Sequence, residues 1–181
     1  NADMYNMTTG MPLGIMIKDG ELITSNGPDE RSGGYRASFF VDSGNIARIA
    51  PLHAEGTISV SESVYGVNLF NRNQGVTDAL VLHTSDITRD HKLTHTEAGM
   101  AGNSAFALIR VDNFNGVYPA QKYTGNIEEI YTKDGFDIPG NYVVLAGYGS
   151  KKAMVESLTK GTAVSFVYNL YVDQDTTPKN D

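Results

Sequence analysis

The chain has 181 residues, no cysteine and a formal charge of −7, which suits one domain with a full core. The missing thiols exclude disulfide scaffolds, thiolate zinc sites and cysteine nucleophiles. An acidic balance without a Lys/Arg run argues against a surface for nucleic acid or acidic membrane, and no stretch of ~18 apolar residues is available to span a bilayer.

In chain order, the residues read mainly as short strands and turns. Gly14 to Lys18, Asp19-Gly20, and Glu21 to Thr24 read as a hairpin, because Asp-Gly suits a type I′ turn with positive φ at both central residues. Residues 26–34 form a polar stretch. A second hairpin follows, from Ala37–Val41 through Asp42-Ser43-Gly44-Asn45 to Ile46–Ile49. Further predicted strands are Thr57–Val60, Val64–Leu69, Ala79–His83, Ala105–Val111, Ile127–Tyr131, Tyr142–Ala146 and Ala163–Tyr171. One helix is predicted over Ser150–Lys160. Ser150 would cap it, Gly161 would end it, and Met154, Val155 and Leu158 give an apolar stripe at helical spacing. The fold class expected is α+β, β-rich, with successive antiparallel hairpins and one principal helix between two C-terminal strands, all in a single domain over residues 1–181.

The chemistry-bearing residues are few. Gly147-Tyr148-Gly149 before the helix is a weak echo of a phosphate-binding turn and reads more simply as a tight strand-to-helix turn. His91 and His95 have the spacing of a helical metal pair, but His91 to Gly99 lacks an apolar stripe and reads as loop and strand. Neither a metal nor a cofactor is expected. His83 ends a strand, a place where functional side chains are often mounted; on chemistry alone it reads slightly better as an exposed strand-end histidine. Adjacent strand residues face opposite sides, so Glu128 and Glu129 read as a solvated edge strand. Arg72 could hold an anion in its fork of donors.

Asn1-Ala2-Asp3-Met4-Tyr5, Thr9-Gly10, Pro12, Gly14 and Asp19-Gly20 together resemble the opening of the phosphodiester glycosidase family, relatives of the enzyme that uncovers mannose 6-phosphate by removing a covering N-acetylglucosamine. The hairpin from Ala37 to Gly44 resembles the family's second hairpin. Three later pieces resemble bacterial members: Asn68 to Arg72; Leu80 to Thr84 with Thr94 to Gly99; and Ile138-Pro139 through Val144 to Gly149, the helix and Lys160-Gly161. The resemblance is spread over most of the chain. It departs from the family at Ala2 and Asp3, where glycines are usual, and at Met4, where an aromatic is usual. The family's arginine-threonine pair, aspartate-glycine-arginine turn and asparagine-leucine-aspartate with its glycine run and serine do not occur in the 181 residues.

The resemblance therefore implies the N-terminal portion of a larger domain, completed by a further C-terminal segment as its partner. The implied activity is hydrolysis of a sugar-1-phosphodiester, secreted or at the cell envelope. A noncatalytic carbohydrate-binding or cell-envelope module on the same scaffold is the alternative. A phosphate leaving group needs little general-acid help, so donors to its oxygens and a carboxylate near the anomeric carbon would serve. Asn1 matches the family's motif position and is the leading catalytic candidate. Asp3 is a catalytic candidate on chemistry alone. Tyr5, Arg72, His83 and Thr84 are the candidates for binding the carbohydrate or glycosyl-phosphate substrate. Asn1, Asp3 and Tyr5 would share one face of an extended segment by period-two alternation.

Overall fold

The computed structural model of the chain describes residues 14–25, 37–42, 44–67, 69–72, 76–87, 92–93, 102–133 and 135–172. Asn1, Asp3, Tyr5, Asn68, His91 and His95 lie outside them. The strands are β1 (Met16–Lys18), β2 (Glu21–Thr24), β3 (Ala37–Val41), β4 (Ala47–Val60), β5 (Ser63–Gly66), β6 (Leu69–Phe70), β7 (Leu80–His83), β8 (Lys92–Leu93), β9 (Ser104–Val111), β10 (Lys122–Tyr131), β11 (Phe136–Asp137), β12 (Tyr142–Tyr148) and β13 (Ala163–Val172), with one short helix, α1 (Lys152–Glu156). The large sheet runs β3-β4-β13-β10-β9-β12-β7-β6, with β5 also on β4; β1-β2 and β8-β11 are two-stranded ribbons. All pairs are antiparallel except β6 with β7.

Local chemistry explains the hairpins. Asp19 (φ 52°) and Gly20 (φ 83°) both take positive φ between β1 and β2, as a primed two-residue turn requires. At the second hairpin, one Asp42 carboxylate oxygen accepts from the amides of Gly44 and Ile46, and the other takes the Arg48 Nε–H at 2.6 Å. Asn45 supplies the left-handed residue at φ 58°. These bonds, that to Arg48 first, hold the Asp42 carboxyl below the ordinary aspartate range.

The middle of the sheet is covered on both faces. Along β12, Val143 and Leu145 enter one cluster with Leu82, Ala107, Ile109, Leu22 and Val155, while Val144, Ala146 and Tyr148 enter a second with Val81, Phe106, Ile87, Leu93 and Ile138. This alternation follows from period-two side-chain placement. α1 covers β9 and β12 on the first face through Val155, with Met154 and Leu158 packed alongside. On the second face Phe136 of the β8-β11 ribbon stacks on Tyr131 and meets the edge of Phe106.

Several expectations need correction. Residues 150–160 do not form one helix: a 3-10 turn over Gly149–Lys151 leads into α1, which stops at Glu156. Ser150 is not a cap: it lies inside the 3-10 turn, the residues at the two N-cap positions are Tyr148 and Lys151, neither with a side-chain cap bond, and the Ser150 amide donates to Asp78 Oδ1 at 2.7 Å. The helix ends where the Ser157 hydroxyl donates to the Met154 carbonyl at 2.7 Å, the local competition that serine offers a helix. β9 and β10 lie between β12 and β13 in the sheet, so the two strands flanking the helix are not neighbours. Glu128 and Glu129 are on an interior strand between β13 and β9. A register shift falls between Ile127 and Glu129, and Glu128 meets Arg110 at 3.0 Å. The predicted strand Thr57–Val60 is the end of the fourteen-residue β4, and Val64–Leu69 is divided between β5 and β6.

Candidate functional site

The parallel pair β6-β7 brings two strand ends together. Leu69 lies opposite Val81 and Phe70 opposite Leu82. Asn71 extends the pairing by donating its amide to Leu82 O at 2.9 Å, then turns the chain at φ 49°. Asparagine is among the few non-glycine residues that take this conformation readily. Its buried side chain does the joining. Nδ2 donates to Ile23 O and to Thr84 Oγ1, each at 2.9 Å, and Oδ1 accepts the Thr84 amide at 2.7 Å. Three strand ends, those of β2, β6 and β7, are thus fixed by one amide. Ser25 makes a second tie, its hydroxyl accepting from Phe70 N at 2.7 Å and its amide donating to Phe70 O.

Thr84 is consequently held tightly. Its hydroxyl accepts from Asn71 Nδ2 and, at 3.3 Å, from the Asp86 amide, and donates to Asp86 Oδ2 at 3.3 Å. Those bonds use the one proton and both lone pairs of a hydroxyl, so Thr84 shapes the corner and orients Asp86. His83, one residue earlier, points to the opposite face. Its ring is fully buried, which corrects the reading of it as exposed. Nε2 lies 3.2 Å from the hydroxyl of Tyr148, the rings meet edge to face, and Phe106 closes on Tyr148 at 6.3 Å.

The same corner carries acids that the sequence did not single out. The Glu21 carboxyl is pushed above the usual glutamate range, first by partial burial and then by the nearby Asp86 carboxylate, with the Lys18 ammonium opposing. It lies over Gly116 (φ 119°), where an added Cβ would run into the Glu21 carboxyl group. Burial also raises the Tyr123 phenol, with a small further push from Glu21; the Tyr123 hydroxyl accepts from Tyr118 N at 2.7 Å. Arg72 follows Asn71 directly and is half-buried.

Of the sequence candidates, Arg72 and Thr84 lie at the paired ends of β6 and β7, while the buried His83 ring is on the opposite face, against Tyr148. Asn71, Asp86, Glu21 and Tyr148 were missed. Asn71 had one legible signal, an asparagine directly after an apolar pair; Asp86 had another, the Thr-x-Asp spacing of a side-chain-bonded turn. The arrangement brings together a carboxylate held by Thr84 and a second carboxyl that keeps its proton to higher pH than usual, with Arg72 next in the chain to Asn71.

No family model and no curated protein matches the chain. Two solved structures share the fold. One is a hypothetical protein from Synechocystis, with a TM-score of 0.64 and 12% identity over 94% of this chain. The other is a Burkholderia pseudomallei protein whose description proposes export, with a TM-score of 0.63 and 18% identity over 96% of this chain. The chain spans 28% and 36% of the length of those two.

Proposed function

We propose that this chain supplies part of the site of a hydrolase that cleaves a glycosyl phosphodiester at its anomeric bond, in a secreted or cell-envelope setting. The ordered resemblance from Asn1 to Gly161 supports this reading, and the export proposed for the Burkholderia neighbour agrees with the setting. The observation that carries it is the Asn71 clamp: one buried amide locks Thr84 to Asn71 and so sets Arg72 and Asp86 on a single rigid corner. Sites held on rigid supports keep the geometry that charge stabilisation requires.

In this reading Arg72 takes the phosphate oxygens in its fork of donors. Asn1 and Asp3 act at the anomeric carbon and its attacking water, and Tyr5 borders the sugar. Thr84 frames the corner, with the buried His83 supporting its strand from the opposite face. The remaining groups come from a C-terminal segment carrying the arginine-threonine, aspartate-glycine-arginine and asparagine-leucine-aspartate motifs.

The test is release of free sugar from an N-acetylglucosamine-1-phosphodiester. The 181-residue chain should turn it over poorly or not at all. Supplying a segment with those motifs, covalently or in trans, should give turnover that Arg72→Ala and Asn1→Ala each reduce by tenfold or more. No turnover in either form would refute the proposed reaction, and robust turnover by the chain alone would refute the shared site.

A further inference from the structure

Between β9 and β10 the chain runs through Asn113-Phe114-Asn115-Gly116-Val117-Tyr118, and it is pinned on either side of Asn115-Gly116. Before that pair, Phe114 packs on the first core cluster and meets the Tyr123 ring edge to face. After it, Val117 is fully buried and its carbonyl accepts the Leu22 amide of β2 at 2.7 Å, while the Tyr118 amide donates to the Tyr123 hydroxyl at 2.7 Å. Gly116 is buried and takes φ 119°, a conformation that suits glycine and strains other residues. The Glu21 carboxyl rests against it, in the space that a Cβ would fill. Glycine is therefore imposed at this position twice, by the backbone angle and by Glu21.

That requirement has a chemical consequence. The side chain of the following residue is what hinders an asparagine carboxamide from meeting the next main-chain nitrogen, and here the fold admits no side chain. Asn115 is exposed. Among the described residues neither its carboxamide nor the Gly116 N–H has a hydrogen-bond partner, so no such bond holds the two groups apart. Every other described asparagine precedes a residue that carries a Cβ.

From these features we infer that Asn115-Gly116 is a self-modification site, at which the chain deamidates with water as its co-reactant and so alters the seat of Glu21. A solvent base takes the Gly116 amide proton, and the nitrogen attacks Asn115 Cγ. The new C–N bond closes a succinimide ring as the Cγ–Nδ2 bond breaks, and Nδ2 leaves as ammonia with a proton from water. A water molecule then opens the ring. Cleavage at Cγ restores the ordinary main chain with an aspartate side chain; cleavage at the main-chain carbonyl leaves an isoaspartate, whose main chain is longer by one methylene. No oxidation or reduction is involved. Either product places a carboxylate next to Gly116, and so close to Glu21, which already faces the Asp86 charge. A further like charge favours the protonated form of Glu21. Isoaspartate also inserts an extra main-chain atom between the Phe114 and Val117 anchors, which the bond from Leu22 to Val117 must absorb. The chemistry is independent of the proposed hydrolysis.

The test is to age the folded 181-residue chain at mildly alkaline pH in water enriched in heavy oxygen, beside a sample unfolded in urea, and to map both by peptide mass spectrometry. In the folded chain the peptide carrying Asn115 should lose ammonia and gain heavy oxygen at least tenfold faster than any peptide carrying another described asparagine. Asn26-Gly27 lies outside the described residues and is read on its own peptide. As product accumulates, the Leu22 amide should exchange at least tenfold faster, and Glu21 should titrate at higher pH in carboxyl NMR. Asn115→Gln, which would have to close a larger ring, should abolish all these changes and leave the circular dichroism spectrum as it was. Conversion confined to the urea sample would show that the fold protects the bond and would overturn the inference. Conversion in the folded chain that moves neither Leu22 exchange nor the Glu21 titration would overturn it as well.

Discussion

Replacing Asn71 by alanine should be among the most damaging single changes available at the corner. The substitution removes three hydrogen bonds, to Ile23 O, Thr84 Oγ1 and Thr84 N. Thr84 is buried, so its amide loses its partner without gaining water, at a cost of about 1–3 kcal/mol; the other two bonds contribute about 1 kcal/mol each. Alanine must also take a left-handed conformation at φ 49°, for about 1 kcal/mol more. The total is about 4–6 kcal/mol, which corresponds to a fall in Tm of roughly 10–20 °C for a chain of this size. Urea unfolding of Asn71→Ala and Asn71→Gly beside the unchanged chain separates the two causes. Glycine adopts the left-handed conformation freely, so Asn71→Gly should recover about 1 kcal/mol and leave the hydrogen-bond loss. An alanine variant within about 1 kcal/mol of the parent would refute the clamp, and equal losses for alanine and glycine would refute the conformational part.

Tyr148→Phe removes the buried hydroxyl beside His83 Nε2 and should cost about 1–2 kcal/mol in denaturant unfolding; a neutral result would show that the pair contributes no net stability. Glu21 has a folded-state pKa above its ordinary value, so its favourable contribution is complete below the unfolded pKa and is lost as pH rises through the folded one. Glu21→Gln should therefore flatten the stability profile just above the ordinary glutamate range, and Asp86→Asn should lower the Glu21 pKa in a carboxyl NMR titration. Gly116→Ala should displace the Glu21 carboxyl and cost about 1–3 kcal/mol, since φ 119° and the added Cβ both oppose it. A variant as stable as the parent would contradict that close approach.

What the sequence made legible was whatever is dictated locally. Asp19-Gly20 and the Asp42–Asn45 turn impose their own backbone angles, so both hairpins follow from a few residues. The apolar runs at Ala105–Val111 and Tyr142–Ala146 gave strands, and β9 and β12 occupy them. The helix was overestimated at both ends: Asp78, 72 positions before Ser150 in the chain, holds the Ser150 amide in the 3-10 turn, and the Ser157 hydroxyl takes the Met154 carbonyl at the exit, neither of which periodicity records. Glu128 and Glu129 read as an edge because polarity cannot distinguish an edge from an interior strand carrying a register shift. The burial of His83 depends on Tyr148, 65 positions later in the chain, whose ring meets it edge to face, and local pattern does not place that ring. Around the candidate site, His83 and Thr84 were legible as the end of a strand, and Arg72 as a cation just after an apolar pair. The clamp was not: it requires two very short strands to pair in parallel and β2 to lie against their ends. The approach of Glu21 to Asp86 joins positions 65 apart and leaves no local trace.

The central claim, that the Arg72 corner receives a glycosyl phosphate, is tested most directly by titrating the isotopically labelled chain with N-acetylglucosamine 1-phosphate and following backbone amide shifts. Saturable changes should centre on Asn71, Arg72, Thr84 and Asp86, with the hairpin from Ala37 to Ile49 unaffected, and Arg72→Ala should weaken binding at least tenfold while Asn71 and Thr84 keep their hydrogen-bonded shifts. Absence of saturable changes at that corner, or binding that is indifferent to Arg72→Ala, would contradict the proposed site.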